Sequence, residues 1–150
     1  MIRHRAALVF GLVLLAALAP GCKRTGTDVG SPLGPSTLVL TFALEARPNV
    51  LLASTSRPIS VLQATAEMNG QPVANRPVYF TILTGPGEFG DFSHRTVVTT
   101  NSQGVATVMY IGPTKFEIDG DSDVLIEGRL ETSTPEAVAK YVDLRVMIAE

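Results

Sequence analysis

The sequence predicts an all-β protein folded as a two-sheet sandwich. Three observations carry this. Apolar residues recur at every second position in stretch after stretch. Gly-, Pro- and Asn-rich turn signals separate the stretches. Past residue 21, no segment shows a sustained helical period. Period-two alternation places one set of side chains on each face of a strand. Short amphipathic strands with regular turns bury those faces best by packing sheet on sheet, about 10 Å apart.

The strands follow in order. Leu38, Leu40, Phe42 and Leu44 alternate with Val39, Thr41, Ala43 and Glu45, giving an edge strand over 36–46. After Ile59, Leu62, Ala64, Ala66 and Met68 alternate with Val61, Gln63, Thr65 and Glu67. Val78, Phe80 and Ile82 share one face; Tyr79, Thr81 and Leu83 share the other. Thr96 to Thr100 is a short strand, and the Asn101-Ser102-Gln103-Gly104 turn after it predicts a hairpin with the strand carrying Ala106, Val108 and Tyr110. Val124, Ile126 and Leu130 form one face of the next strand. Val142, Leu144, Val146 and Ile148 form one face of the last. Ala137 to Lys140 comes nearest to a helical turn, but it runs into that last strand. The total is about seven strands. Turns are expected at Asn69-Gly70-Gln71-Pro72, Gly85-Pro86-Gly87, Gly112-Pro113 and Asp119-Gly120. Gly70 and Gly104 stand where tight turns want positive φ, and Ala106 is small enough to let the sheets approach.

The first residues have a different character. Arg3, His4 and Arg5 precede an apolar run from Ala6 to Ala19. A positive n-region, an apolar h-region and small residues after it read as a secretory signal. The run is shorter than the roughly 20 residues needed to cross a bilayer. Ala19-Pro20-Gly21-Cys22 resembles a bacterial lipobox, which implies lipid attachment at Cys22, the only cysteine. An ordinary cleaved signal and an uncleaved anchor are the alternatives. One acyl chain binds a membrane only marginally, and lipoproteins of this type carry several. Lys23 stands where an Asp would imply retention in the inner membrane, so the resemblance leans to the outer membrane. Lys23 to Ser36 is rich in Gly, Pro and Ser, with a reach of about 20 Å. The expected organisation is a signal over 1–21, a flexible linker over 22–36 and a sandwich over 37–150.

Residues 58–112 carry more specific signals. Asn69-Gly70-Gln71-Pro72-Val73 follows an alternating strand. Arg76-Pro77-Val78-Tyr79-Phe80-Thr81, the turn Gly85-Pro86-Gly87-Glu88-Phe89, and the segment Thr99 to Val108 come next. This pattern resembles the bacterial immunoglobulin-like domain of the invasin and intimin type. The flanking strands extend the resemblance to about 110 residues. It implies an immunoglobulin-like sandwich used as a rod segment or binding surface. The tandem copies and membrane barrel of the adhesins have no counterpart here, so host adhesion does not carry over.

The composition narrows the function classes. The chain has 150 residues, with 12 Lys+Arg against 14 Asp+Glu. Losing Arg3 and Arg5 with the signal leaves a mildly acidic chain without a basic tract, which argues against nucleic-acid partners. His94 is the one histidine beyond the signal, and no nucleophile-elbow, zinc-protease or phosphate-loop motif occurs. No enzymatic activity and no cofactor are expected. Asp119, Asp121 and Asp123 alternate in a loop and are candidate calcium ligands, although the twelve-residue calcium-loop pattern fails at Val124 and Leu130. Tyr79, Phe89, Phe92, Phe116 and Tyr141 are candidates for a sugar-stacking platform. The leading expectation is a lipid-anchored, non-enzymatic structural or interaction module. Its partners would be the membrane, through its lipid, and another envelope or surface protein. The alternative is a glycan- or calcium-binding domain using the loops around Phe89–Phe92 or Phe116–Asp123. Strand addition at the 36–46 edge is the expected mode of partner binding.

Overall fold

Alternating residues become strands because a half-buried strand satisfies its backbone in the ladder and its apolar side chains in the core. The computed structural model describes residues 39–132 and 137–149, which lie in one compact unit spanning Thr37–Glu150. Cys22, the signal and the linker fall outside the described residues. Among the described residues there are ten strand segments: β1 (Leu40–Arg47), β2 (Val50–Ala53), β3 (Ile59–Met68), β4 (Gln71–Pro72), β5 (Pro77–Thr84), β6 (Glu88–Phe89), β7 (Arg95–Thr99), β8 (Val105–Ile111), β9 (Ser122–Leu130) and β10 (Val138–Ile148). Seven are the strands expected from the alternation; β2, β4 and β6 are short additions. Among the described residues, no helix is long and apolar enough to cross a membrane.

Two sheets face each other. One runs β1-β3-β8-β6, with β4 also on β3; the other runs β2-β10-β9-β5-β7. Every pairing is antiparallel except β2 with β10, which is parallel. The chain therefore changes sheets between β1 and β2, where the Arg47–Pro48 peptide is cis. Ser60, fully buried, donates its hydroxyl to the Pro48 carbonyl at this corner, 2.7 Å away.

The inward faces are complementary in size. The first sheet contributes the small residues Ala64, Ala66 and Ala106, with Phe42 and Leu62. The second contributes Val78, Phe80, Val124, Ile126, Leu130, Leu144 and Val146. Phe80 meets Phe89 edge to face, with ring centroids 6.4 Å apart, a favoured aromatic geometry.

The expected hairpin across Asn101–Gly104 does not form. β7 pairs with β5 in one sheet, and β8 pairs with β3 in the other. The turn is a crossover between sheets, and Thr100 explains why. Thr100 is buried, donates its hydroxyl to Val73 O at 2.7 Å, and accepts the Arg76 amide at 2.9 Å. Its own amide bonds Arg76 O. These bonds hold the end of β7 against the start of β5. Gly104 then turns the chain into the other sheet with φ +73, and a Cβ there would collide with the Ala66 carbonyl.

The poles follow from the register. Val39 and Asn69 lie together at one pole, with Val73 and Gly104. Ala149 bonds Ala53 at the other, where Ser54 accepts from Lys115. The described chain thus enters and leaves the sandwich at opposite ends.

Truncating Phe80 to Ala should cost about 3–5 kcal/mol, because it leaves a cavity between the sheets. Truncating the half-exposed Val97 should stay within about 0.5 kcal/mol. Urea denaturation followed by circular dichroism gives both values.

Candidate interaction surface

The pole where the chain leaves is built from three loops. Ser54–Pro58 joins β2 to β3, Gly85–Gly87 joins β5 to β6, and Gly112–Asp121 joins β8 to β9. Arg57 ties all three together. One of its amino groups pairs with Glu88 and the other with Glu117 Oε1 at 2.6 Å. Glu117 Oε2 accepts the Thr114 amide at 2.7 Å and its hydroxyl at 3.0 Å. The Thr114 amide, followed by Arg57, holds the Glu117 carboxyl below the usual carboxylate range. Exposed pairs of this kind add little stability; they fix where the loops stand.

Beneath the clamp, Tyr110 is fully buried and donates its hydroxyl to Pro86 O at 2.5 Å. Burial pushes its phenol pKa up. Gly87, at φ +99, lies so close to the Tyr110 ring that no Cβ fits. The loops enclose an open cleft of about 190 Å³ lined by Arg57, Pro86, Gly87, Glu88, Pro113 and Glu117. Phe116 stands beside it, 77% exposed, with Lys115 Nζ 5.7 Å from its ring centroid.

The sequence-derived candidates are scattered by the fold. Asp121 accepts the Ile148 amide at 3.1 Å and pairs with Arg145 at 3.5 Å. Asp123 stands opposite Arg145 in the β9–β10 ladder, and Asp119 lies in the preceding loop. Among the described residues, no group of three or more His, Cys, Asp or Glu is arranged to hold a metal ion. Phe89 is core, so it cannot stack on a ligand. Phe92 is exposed, at φ 60, in the β6–β7 loop. Tyr79 and Tyr141 do share the outer face of the second sheet. Tyr79 lies under Arg129, 5.3 Å from its ring centroid, and donates to Glu131 at 3.2 Å. Tyr141 is exposed and donates to Glu127 at 3.4 Å. His94 lines a shallow groove of about 410 Å³ with Thr81, Ile82, Ser93 and Arg95. No candidate foresaw the Arg57 clamp. Its partners lie 31 and 60 residues away in sequence, and only the topology brings them together.

Comparison with solved structures gives the fold its place. Two intimin structures, its D00–D0 and D0–D1 domains, superpose with TM-scores of 0.50 at 21% identity. Each match covers 71% of this chain, which spans about half the length of those structures (47% and 49%). The fold is that of an intimin-type immunoglobulin-like domain. No protein-family model and no curated protein matches the chain. In this immunoglobulin-like sandwich, the Arg57 clamp sits among the loops gathered at one pole.

Lowering pH should open the clamp. A carboxylate held below its ordinary pKa contributes stability above that value and loses it as pH falls through the folded one. Glu117 is such a group. Amide exchange at Thr114, corrected for intrinsic pH dependence, should lose protection at acid pH. Glu117→Gln should lose it already at neutral pH. Unchanged protection in both cases would contradict the clamp.

Proposed function

We propose that this chain is a lipid-anchored, non-enzymatic module of the bacterial cell envelope, holding one immunoglobulin-like domain off a membrane to meet another envelope or surface protein. The observation that carries this reading is the polarity of the sandwich. The described chain begins at the pole opposite the Arg57 clamp. A lipid on Cys22, joined through the Gly- and Pro-rich linker, would attach at that starting pole. The three clamped loops, the cleft and Phe116 lie at the pole that this attachment leaves free. A recognition surface works best when its loops are held in place before binding, since less ordering entropy is lost on contact.

Several features support the finer points. The lipobox resemblance at Cys22 supports the anchor, and Lys23 in place of Asp supports the outer membrane. The likeness to intimin domains supports a structural or interaction role. The mildly acidic chain supports a protein partner over nucleic acid.

Growth with radiolabelled fatty acid should mark the wild-type protein and leave Cys22→Ser unmarked, with the variant shifting to the soluble fraction. Equal labelling of both, or membrane retention of the variant without label, would overturn the anchor.

A further inference from the structure

A sheet edge offers unpaired backbone groups to other chains unless it is short, charged or covered. Most edges here are blunted. β2 has four residues, and β6 has two. β1 is longer, but it packs against β10 and carries the exposed Glu45–Arg47 ion pair, 2.7 Å across, in its last three residues. Beyond β6, the flank of β8 is closed by Asn101, whose amide bonds Val105 O at 2.9 Å and whose Oδ1 accepts the Val105 amide at 3.1 Å. Gly90 bonds Met109 O there.

β7 is the exception. It is the outermost strand of its sheet and reads Arg-Thr-Val-Val-Thr, with one charge at its start and no proline. Its hydrogen-bonding parity is fixed at both ends. The Ile82 amide bonds His94 O, and the Thr100 amide bonds Arg76 O. In an antiparallel ladder, directly bonded pairs alternate with non-bonded ones. His94, Thr96, Val98 and Thr100 therefore bond towards β5. The backbone groups of Arg95, Val97 and Thr99 point away from it, and of these the Arg95 carbonyl already accepts the Ser93 hydroxyl at 2.7 Å. Val97 is 49% exposed, and Thr96 and Val98 are half-buried.

We infer that β7 is a self-pairing edge whose occupant is a second copy of this chain. A two-fold axis through Val97, normal to the sheet, sets Val97 opposite its counterpart. Arg95 then faces the partner's Thr99. Val97 exchanges both backbone bonds with its counterpart, and Arg95 exchanges both with the partner's Thr99, its carbonyl sharing its second lone pair because Ser93 Oγ holds the first. The two arginines fall at opposite ends of the ladder, so like charges never meet. Isologous self-complementarity of this kind closes at a dimer. The outer faces continue in one row, with Tyr79 and Val97 of each copy side by side. The interface is small, so the association is of the weak class and gains from confinement of both copies on one membrane.

The test uses the full chain. Directly bonded antiparallel residues lie about 5.5 Å apart at Cα, within disulfide range. Mild oxidation of whole cells should give a covalent dimer with Val97→Cys, with the disulfide mapped to position 97 by mass spectrometry. Arg95→Cys alone should give none. Absence of that disulfide in exported Val97→Cys protein, or equal crosslinking of Arg95→Cys, would overturn the proposal. Sedimentation gives a second reading on purified full-length protein in detergent. Wild type should dimerise and Val97→Pro should not, because proline there removes only an outward N–H. A wild type that stays monomeric up to the highest concentration reached, or a Val97→Pro dimer as strong as wild type, would overturn it equally.

Discussion

Thr100 is the contact on which the architecture turns. A buried hydroxyl that donates to Val73 O and accepts from Arg76 N ties the end of β7 to the start of β5. Buried polar groups need such partners, and removing one strands the others. With β7 held in one sheet, the chain must cross before β8 can begin. Gly104 makes that turn at φ +73 against the Ala66 carbonyl. Had β7 folded back on β8, both strands would lie in one sheet and β5 would lose its outer neighbour.

The crossover also sets what the surface can do. It leaves β7 as the outer strand beside β5, with alternate backbone groups turned outward. Asn101, next in sequence, blunts the neighbouring flank of β8. At the far pole, the same two-sheet topology gathers loops from distant parts of the chain, and Arg57 locks them with Glu88 and Glu117. The sandwich thus presents a clamped loop pole and an open strand edge as separate surfaces.

Much of the fold was legible in the sequence because alternation is a local signal. The inward faces of β1, β3, β5, β8, β9 and β10 follow the period-two pattern, from Phe42 to Val146. Gly70 and Gly104 both take positive φ, as their turns require. The failures were non-local. Asn101–Gly104 looks like a hairpin turn, and nothing in those four residues says that the next strand belongs to another sheet. β2 is too short for alternation to declare itself, and two of its apolar residues, Val50 and Leu52, are exposed. Phe89 looked like a loop aromatic but fills the core against Phe80. The Arg57 clamp has no sequence signature, since charge pairs between loops depend wholly on where the strands deliver them.

The most direct test is a nuclear Overhauser measurement on the isotopically labelled protein. Tyr79 and Val97 form a non-bonded antiparallel pair, so their Hα protons should give a strong cross-peak. Cross-strand peaks joining β7 to β8, with none between Tyr79 and Val97, would show the hairpin instead and contradict the crossover at Thr100.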